Sequence, residues 1–188
     1  MQLETDDERA QTMTLEAFAD TIVPGEKRSP DDRAVAGASE GGGAVACGAV
    51  ELLRGPEGGL APALDNLADA LNAHAEEYAD EREMTLDPAV PPFVALPFAD
   101  RTILVSILTG PGHPEKDLWV SMTMLSNMAY DTAAHISTHD ALAAGHPGLL
   151  ALGITLPDAD FLWRFPEHSY GIELNDRHPA TTPSGSPA

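Results

Sequence analysis

The feature that most constrains this fold is a helical periodicity of apolar residues that Pro and Gly interrupt. Apolar side chains recur at three- and four-residue steps, which places them on one side of a helix. Pro24-Gly25 and Gly110-Pro111-Gly112 end two of these patterns, as expected of helix stops. The pattern predicts a mainly α fold, a single-domain helical bundle, with its longest helices in residues 14–23, 60–84, 98–109 and 115–134.

Shorter segments complete the predicted domain. We expect short helices at 42–54 and 139–144, the second capped by Thr138. Four prolines between residues 86 and 97 exclude a helix interior and predict an extended connector. Beyond residue 150 the periodicity fades, and we expect an irregular aromatic-rich C-terminal segment. The predicted organisation is a helical domain at 1–178, with a flexible N-terminus at 1–12, and a flexible tail at 179–188.

The charge balance limits the possible partners. The 188 residues include 30 Asp and Glu against 10 Lys and Arg, a net charge of −20. Such a chain repels nucleic-acid phosphates and anionic membrane surfaces. No apolar run reaches the ~20 residues of a membrane span. The N-terminus lacks a secretory signal, and the single cysteine, Cys47, allows no internal disulfide, so a cytoplasmic location is expected.

The stretch with the most concentrated polar chemistry runs from Tyr130 to Leu149. Asp131, His135 and His139 follow one another at four-residue steps, so a continuous helix would align them on one face. Two such histidines and a carboxylate can hold zinc or non-haem iron, and a metal bound by these three residues is one alternative. Ser137-Thr138 interrupts the helix, which favours Asp131 and His135 as a structural hydrogen-bonded pair. An acid–base or ligand-contact role for the two residues, without a metal, is the other alternative.

The C-terminal part adds further candidate site residues. His146 follows a glycine at a helix end, where it can bond terminal carbonyls or join His135. Arg164 lies between two aromatic residues, a setting that suits carboxylate binding. We predict Tyr170 as a third acid–base group beside Asp131 and His135. The predicted ligand-binding residues are His146, Trp163, Arg164 and His168.

Two other observations predict packing rather than chemistry. His74 lies near the apolar stripe of 60–84 without clustered partners, which is typical of a partly buried surface histidine. In the segment 115–134, apolar side chains recur on one helical face. This pattern predicts that these side chains, including the methionines among them, pack in the core. The residues on that face are Leu118, Met122, Leu125, Met128 and Ala129.

Several motifs resemble known families. TLEAFADTIVPG at 14–25 resembles the opening of the small subunit (subunit 3) of gluconate 2-dehydrogenase, and PFADRTILVSILTG at 97–110 is similar to that family's middle. AYDTAAH, AAGHPGL and PDADFLWRFPEHSYG resemble an uncharacterised, distantly related family of bacterial cytoplasmic proteins. In the gluconate dehydrogenase family the catalytic FAD lies on a separate large subunit of the glucose–methanol–choline type. The resemblance therefore implies a helical companion of a flavoprotein.

Two functions are expected from these observations. The first is an accessory subunit or partner of a flavin-dependent oxidoreductase, with FAD on the partner and no cofactor on this chain. The twin-arginine export signal of the small subunit is missing, so neither a periplasmic location nor gluconate is implied. The alternative is a small stand-alone enzyme of secondary metabolism that acts on a hydrophobic metabolite. It would use an Asp/His/Tyr site with or without a metal ion.

Overall fold

The computed structural model describes residues 5–156 and confirms the mainly α fold. This described part contains eight α-helices and no β-strand, and its helices belong to one compact unit, Met1–Ile154. The predicted aromatic segment and tail, from residue 157 onward, lie outside the described residues. The helices are α1 Asp6–Ile22, α2 Ala49–Arg54, α3 Leu64–Glu81, α4 Pro92–Ala95, α5 Phe98–Leu108, α6 Lys116–Thr132, α7 Thr138–Ala143 and α8 Pro147–Ala151.

Helix α1 is the centre of the bundle and contacts α2, α3, α4, α5 and α6. Its Phe18 is fully buried between Phe93 of α4 and Trp119 of α6. The ring centroids lie 6.5 Å from Phe93 and 6.3 Å from Trp119, the spacing of favourable aromatic pairs. Leucine and alanine side chains surround these three rings, so an aliphatic shell encloses an aromatic centre.

The start of α1 lies earlier than the sequence pattern predicts. The Thr5 amide donates to Glu8 Oε2 at 2.7 Å and the Glu8 amide donates to Thr5 Oγ1 at 3.2 Å, a capping box. Residues 6–12, predicted to be flexible, are therefore helical. Thr14, at which the predicted helix begins, is buried within α1, where its hydroxyl donates to the Ala10 carbonyl.

Helix α4 corrects the prediction of an extended connector at 86–97. One turn of helix forms at Pro92–Ala95, with Pro92 in the first turn, where a missing N–H costs nothing. The turn directs Phe93 and Val94 into the core. The flanking Pro91 and Pro97 keep the extended backbone that the prediction gave them.

Helix α6 also differs in the face that it buries. Trp119, Met122, Ser126 and Ala129 are its buried residues, because the large Trp119 ring occupies the core position. Leu118, Met124 and Met128 are exposed instead, so the predicted packing of Leu118 and Met128 is wrong. No helix in the described part is long and apolar enough to cross a membrane.

Candidate functional site

The predicted Asp131–His135 pair does not form. Helix α6 ends at Thr132, and Ala133 adopts a left-handed backbone with φ of 50°, which turns the chain away from the helix axis. Asp131 Oδ2 instead accepts a hydrogen bond from Asn127 Nδ2 at 2.8 Å. Asp131 Oδ1 and His135 Nδ1 are both buried without a hydrogen-bond partner. The prediction failed because it assumed a continuous helix.

The fold does bring His135 and His146 together. Their ring centroids are 6.4 Å apart. The His135 ring lies close to Gly48: a Cβ atom added to Gly48 would lie 2.4 Å from Nε2 of His135. His139 is exposed on α7, and its ligating atoms do not converge with those of Asp131 and His135 within the 4.8 Å that a shared ion requires. The predicted three-residue metal face therefore has no counterpart in the fold.

His146 connects α8 to the turn before α2. It is the N-cap of α8, where its Nδ1 accepts the Leu149 amide at 3.3 Å. Its Nε2 lies 3.2 Å from the Cys47 carbonyl oxygen, and this places the ring proton on Nε2. Both ring nitrogens therefore have partners within the protein. Burial raises the pKa of the neighbouring Cys47 thiol, against the opposing effect of the Gly148 amide.

The other predicted site residues fall in the C-terminal segment. Tyr170, the third proposed acid–base group, lies outside the described residues 5–156. The same is true of the predicted ligand-binding residues Trp163, Arg164 and His168. Their roles stay predictions.

A second cluster of polar side chains forms where the sequence pattern indicated none. It joins His74 of α3, His113 of the α5–α6 loop and Glu115, the N-cap residue of α6. His74 Nε2 is 2.8 Å from Glu115 Oε2, and the Glu115 amide donates to His113 Nδ1 at 3.2 Å. Among the described residues, this is the only group of three or more His, Cys, Asp or Glu whose ligand atoms lie within 4.8 Å of one another.

The buried Trp119 fixes the carboxylate of this cluster. Its Nε1–H donates to Glu115 Oε2 at 3.1 Å, and its ring lies 5.9 Å from the His74 ring. The hydrogen bond from His74 outweighs burial and, with that from Trp119, holds the pKa of Glu115 below its ordinary value. The carboxylate is therefore ionised at neutral pH.

A cleft of about 220 Å³ opens beside the two imidazoles of the cluster. Two carboxylates, Glu77 and Glu81, contribute negative charge to it. Tyr78 also reaches the cleft, and its hydroxyl donates to Asp100 Oδ1 at 2.8 Å. Two imidazoles and a carboxylate at the edge of a cleft can share a proton, bind a polar ligand or coordinate a cation. The remaining lining residues are Leu104, Ile107 and Leu108.

Sequence reasoning missed this cluster because it treated His74 as isolated. One local signal was present: His113 and Glu115 stand two residues apart just before α6, and Trp119 follows one helical turn later. His74 comes 41 residues before Glu115, and only the packing of α3 against the start of α6 brings it there.

Comparison with known proteins gives one match. A family model described as a family of unknown function (DUF5987) matches residues 9–188, nearly the whole chain. No curated protein and no solved structure matches the chain.

Proposed function

We propose that this chain, which belongs to the family of unknown function DUF5987, is a companion subunit of a flavin-dependent oxidoreductase of the glucose–methanol–choline type. The proposal extends the resemblance of residues 14–25 and 97–110 to the small subunit of gluconate 2-dehydrogenase. FAD would be bound by the partner. The observation that carries the proposal is an uncharged apolar surface on α5 and α6.

This α5/α6 surface consists of exposed apolar side chains on two helices that contact each other. The exposed fractions range from 36% for Met128 to 58% for Met124. Five of the nine large apolar side chains that are exposed among the described residues belong to these two helices. Exposed apolar patches commonly mark a surface that another protein covers. The residues of the surface are Ile103, Ile107, Leu118, Met124 and Met128.

The distribution of charge supports the same conclusion. The chain carries 40 charged residues, the 30 acidic and 10 basic ones together, yet 102–114 and 118–130 contain none. The centres of protein interfaces are depleted of charged residues and enriched in methionine. The acidic side chains that keep the chain in solution are thus excluded from this surface, as expected if a partner covers it.

Co-expression tests the proposal directly. The chain would be produced with a glucose–methanol–choline flavoprotein encoded beside its gene, and the complex measured by light scattering and FAD absorbance. Ile103→Glu and Met124→Glu would each bury an unpaired charge in the interface. We expect each to weaken the complex at least ~10-fold. The matched control is Leu150→Glu on α8, which changes another exposed leucine and should leave binding intact.

Two results would refute this function. One is the failure of wild-type chain and flavoprotein to associate at micromolar concentration. The other is a complex that Ile103→Glu, Met124→Glu and Leu150→Glu weaken equally, because the α5/α6 surface would then have no special role.

One observation favours the alternative, a stand-alone enzyme acting on a hydrophobic metabolite. Asp131 Oδ1 and His135 Nδ1 are buried and unpartnered, and such groups are costly unless a ligand or solvent satisfies them. Under this proposal both atoms would contact a polar group of the substrate. Chemical-shift changes at the His135 ring on adding candidate metabolites would support it, and turnover unaffected by His135→Ala would refute it.

A further inference from the structure

We propose that His74, His113 and Glu115 form a binding site for Zn²⁺ or a similar divalent transition metal. Two imidazoles and one carboxylate are the protein ligands of many zinc sites that keep a fourth position open. The same donor set suits Co²⁺, Ni²⁺ and Fe²⁺, whereas Mg²⁺ and Ca²⁺ prefer oxygen ligands alone. The neighbouring cleft adjoins the α5/α6 surface at Ile107, but the inference does not depend on the proposed function.

The distances in the cluster fit such an ion. Zinc bonds of about 2.0–2.1 Å in a tetrahedral arrangement separate neighbouring ligand atoms by roughly 3.3 Å. The nearest pair here, His74 Nε2 and Glu115 Oε2, is 2.8 Å apart, and all three ligand atoms lie within 4.8 Å of one another. The required distance falls between these values, so small side-chain rotations suffice.

The hydrogen bonds of the cluster also suit a metal. A metal ion would take the place of the hydrogen bond that joins His74 Nε2 to Glu115 Oε2. His113 Nδ1 accepts the Glu115 amide and is therefore unprotonated, the form in which an imidazole nitrogen ligates a metal. The His113–Nδ1 bond to the metal would take the place of this hydrogen bond.

The surroundings resemble those of a metal site rather than those of a simple ion pair. Trp119 donates to Glu115 from the core, as the outer partners of metal-bound carboxylates do. The neighbouring cleft leaves a fourth position for water or a ligand, and Glu77 and Glu81 attract cations to it.

Metal titration of chelator-treated, full-length protein tests the site. Zn²⁺ binding would be measured by calorimetry, and the visible absorption of Co²⁺ would report nitrogen and oxygen ligands. We expect one ion per chain. His113→Ala and Glu115→Gln should each weaken binding at least ~100-fold, since even outer-partner losses cost 10–100-fold. The control His139→Ala removes an exposed histidine of α7 and should leave the affinity unchanged.

Thermal unfolding supplies a second readout. The ion would bind residues of α3 and of the α5–α6 loop together only in the folded chain. Zn²⁺ at about 100 times its Kd should therefore raise Tm by roughly 5–10 °C. The same addition should leave the Tm of His113→Ala unchanged.

Specific outcomes would overturn the inference. A wild-type Kd above about 1 mM would do so, because exposed acidic residues alone bind ions that weakly. So would a tight site that survives both His113→Ala and Glu115→Gln, since the ion would then lie elsewhere. Circular dichroism checks that the variants fold. If His113→Ala does not fold, the metal affinity of the near-isosteric variant Glu115→Gln decides the test.

Discussion

At the scale of single residues, Arg101 is a buried charged side chain that joins several segments of the fold. It is only 4% exposed, and its guanidinium donates to four backbone carbonyls, of Arg33, Ala34, Val94 and Leu96, at 2.6 to 3.2 Å. Burial lowers its pKa, while the nearby Asp20 opposes this effect. The side chain thus ties α5 to the loop after α1 and to the end of α4.

Arg101→Lys should destabilise the fold although it keeps the charge. An ammonium group offers its donors from one point and cannot reach four carbonyls, so buried acceptors would lose partners. We expect a loss of about 2–4 kcal/mol in the free energy of unfolding, measured with urea. Arg82→Lys, at a partly exposed arginine at the C-terminal end of α3, is the control and should cost less than ~1 kcal/mol. Equal losses would contradict this role for Arg101.

Asp32 predicts a dependence on pH. Burial alone would raise the pKa of its carboxyl, but hydrogen bonds from Arg28 and from the Val35 amide outweigh burial and lower it. The Asp32 carboxylate therefore takes up a proton more readily in the unfolded chain than in the folded protein. The ionised carboxylate stabilises the fold above pH ~4, and this stabilisation is lost as the pH falls through the folded-state pKa of Asp32.

Asp32→Asn should accordingly cost about 1–3 kcal/mol at pH 7, through weaker hydrogen bonds to Arg28 and the loop amides. The difference from wild type should shrink below pH ~4, as the wild-type carboxyl becomes neutral. Urea unfolding at a series of pH values measures this, with the exposed neighbour Asp31→Asn as control. A difference that stays constant down to the acid transition would refute the assignment.

At the scale of elements, α8 packs closely against α6. A Cβ on Gly148 would lie 2.0 Å from the Tyr130 carbonyl oxygen, so the two backbones touch where only glycine fits. This contact holds α8, and with it His146, against the end of α6.

Gly148→Ala should therefore destabilise the protein by about 2–3 kcal/mol, because backbone must move to admit the methyl group. Gly58→Ala is the milder control: its nearest contact would be the end of the flexible Leu125 side chain, at 3.0 Å, and the Leu52 carbonyl oxygen would lie at 3.2 Å. We expect that variant to lower Tm much less than Gly148→Ala does. Similar Tm values for the two variants would show that α8 can shift away at no cost.

The sequence pattern located the long helices because their boundary signals are local. Segments 98–109 and 115–134 correspond closely to α5 and α6, and Pro97 and Gly110 lie at the two ends of α5. Helices α4 and α8 were not predicted. Each has a proline, Pro92 or Pro147, in its first turn, where proline is favoured, and the prolines of 86–97 were interpreted only as excluding a helix.

The candidate sites were less predictable, again for physical reasons. The left-handed conformation of Ala133 separates His135 from Asp131, and an alanine gives no sequence signal for such a turn. The His74, His113 and Glu115 cluster depends on the packing of α3 against the α5–α6 connection. Periodicity identifies which face of α3 is buried but not which residues of distant segments it meets.

At the scale of the whole molecule, the uneven distribution of charge is the main feature. The net charge is −20, and the outer side of α3 carries exposed acids such as Asp65, Asp69 and Glu76, whereas the α5/α6 surface carries none. Mutual repulsion among so many like charges opposes the compact state. The same charge favours a partner with basic groups around an apolar centre.

Raising the ionic strength should therefore stabilise the isolated chain. Screening from 0.01 M to 0.5 M NaCl shortens the range of repulsion several-fold, and we expect Tm to rise by roughly 3–8 °C in calorimetry.

The triple variant Asp65→Asn, Asp69→Asn, Glu76→Gln reduces the net charge to −17, from −20 plus three. It should melt higher than wild type at low salt and respond less to added salt. Asn66→Gln with Ala73→Gln changes two other exposed residues of α3 without altering the charge and should retain the full response. A Tm independent of salt would show that repulsion is already balanced within the fold, and the acidity would then concern association rather than stability.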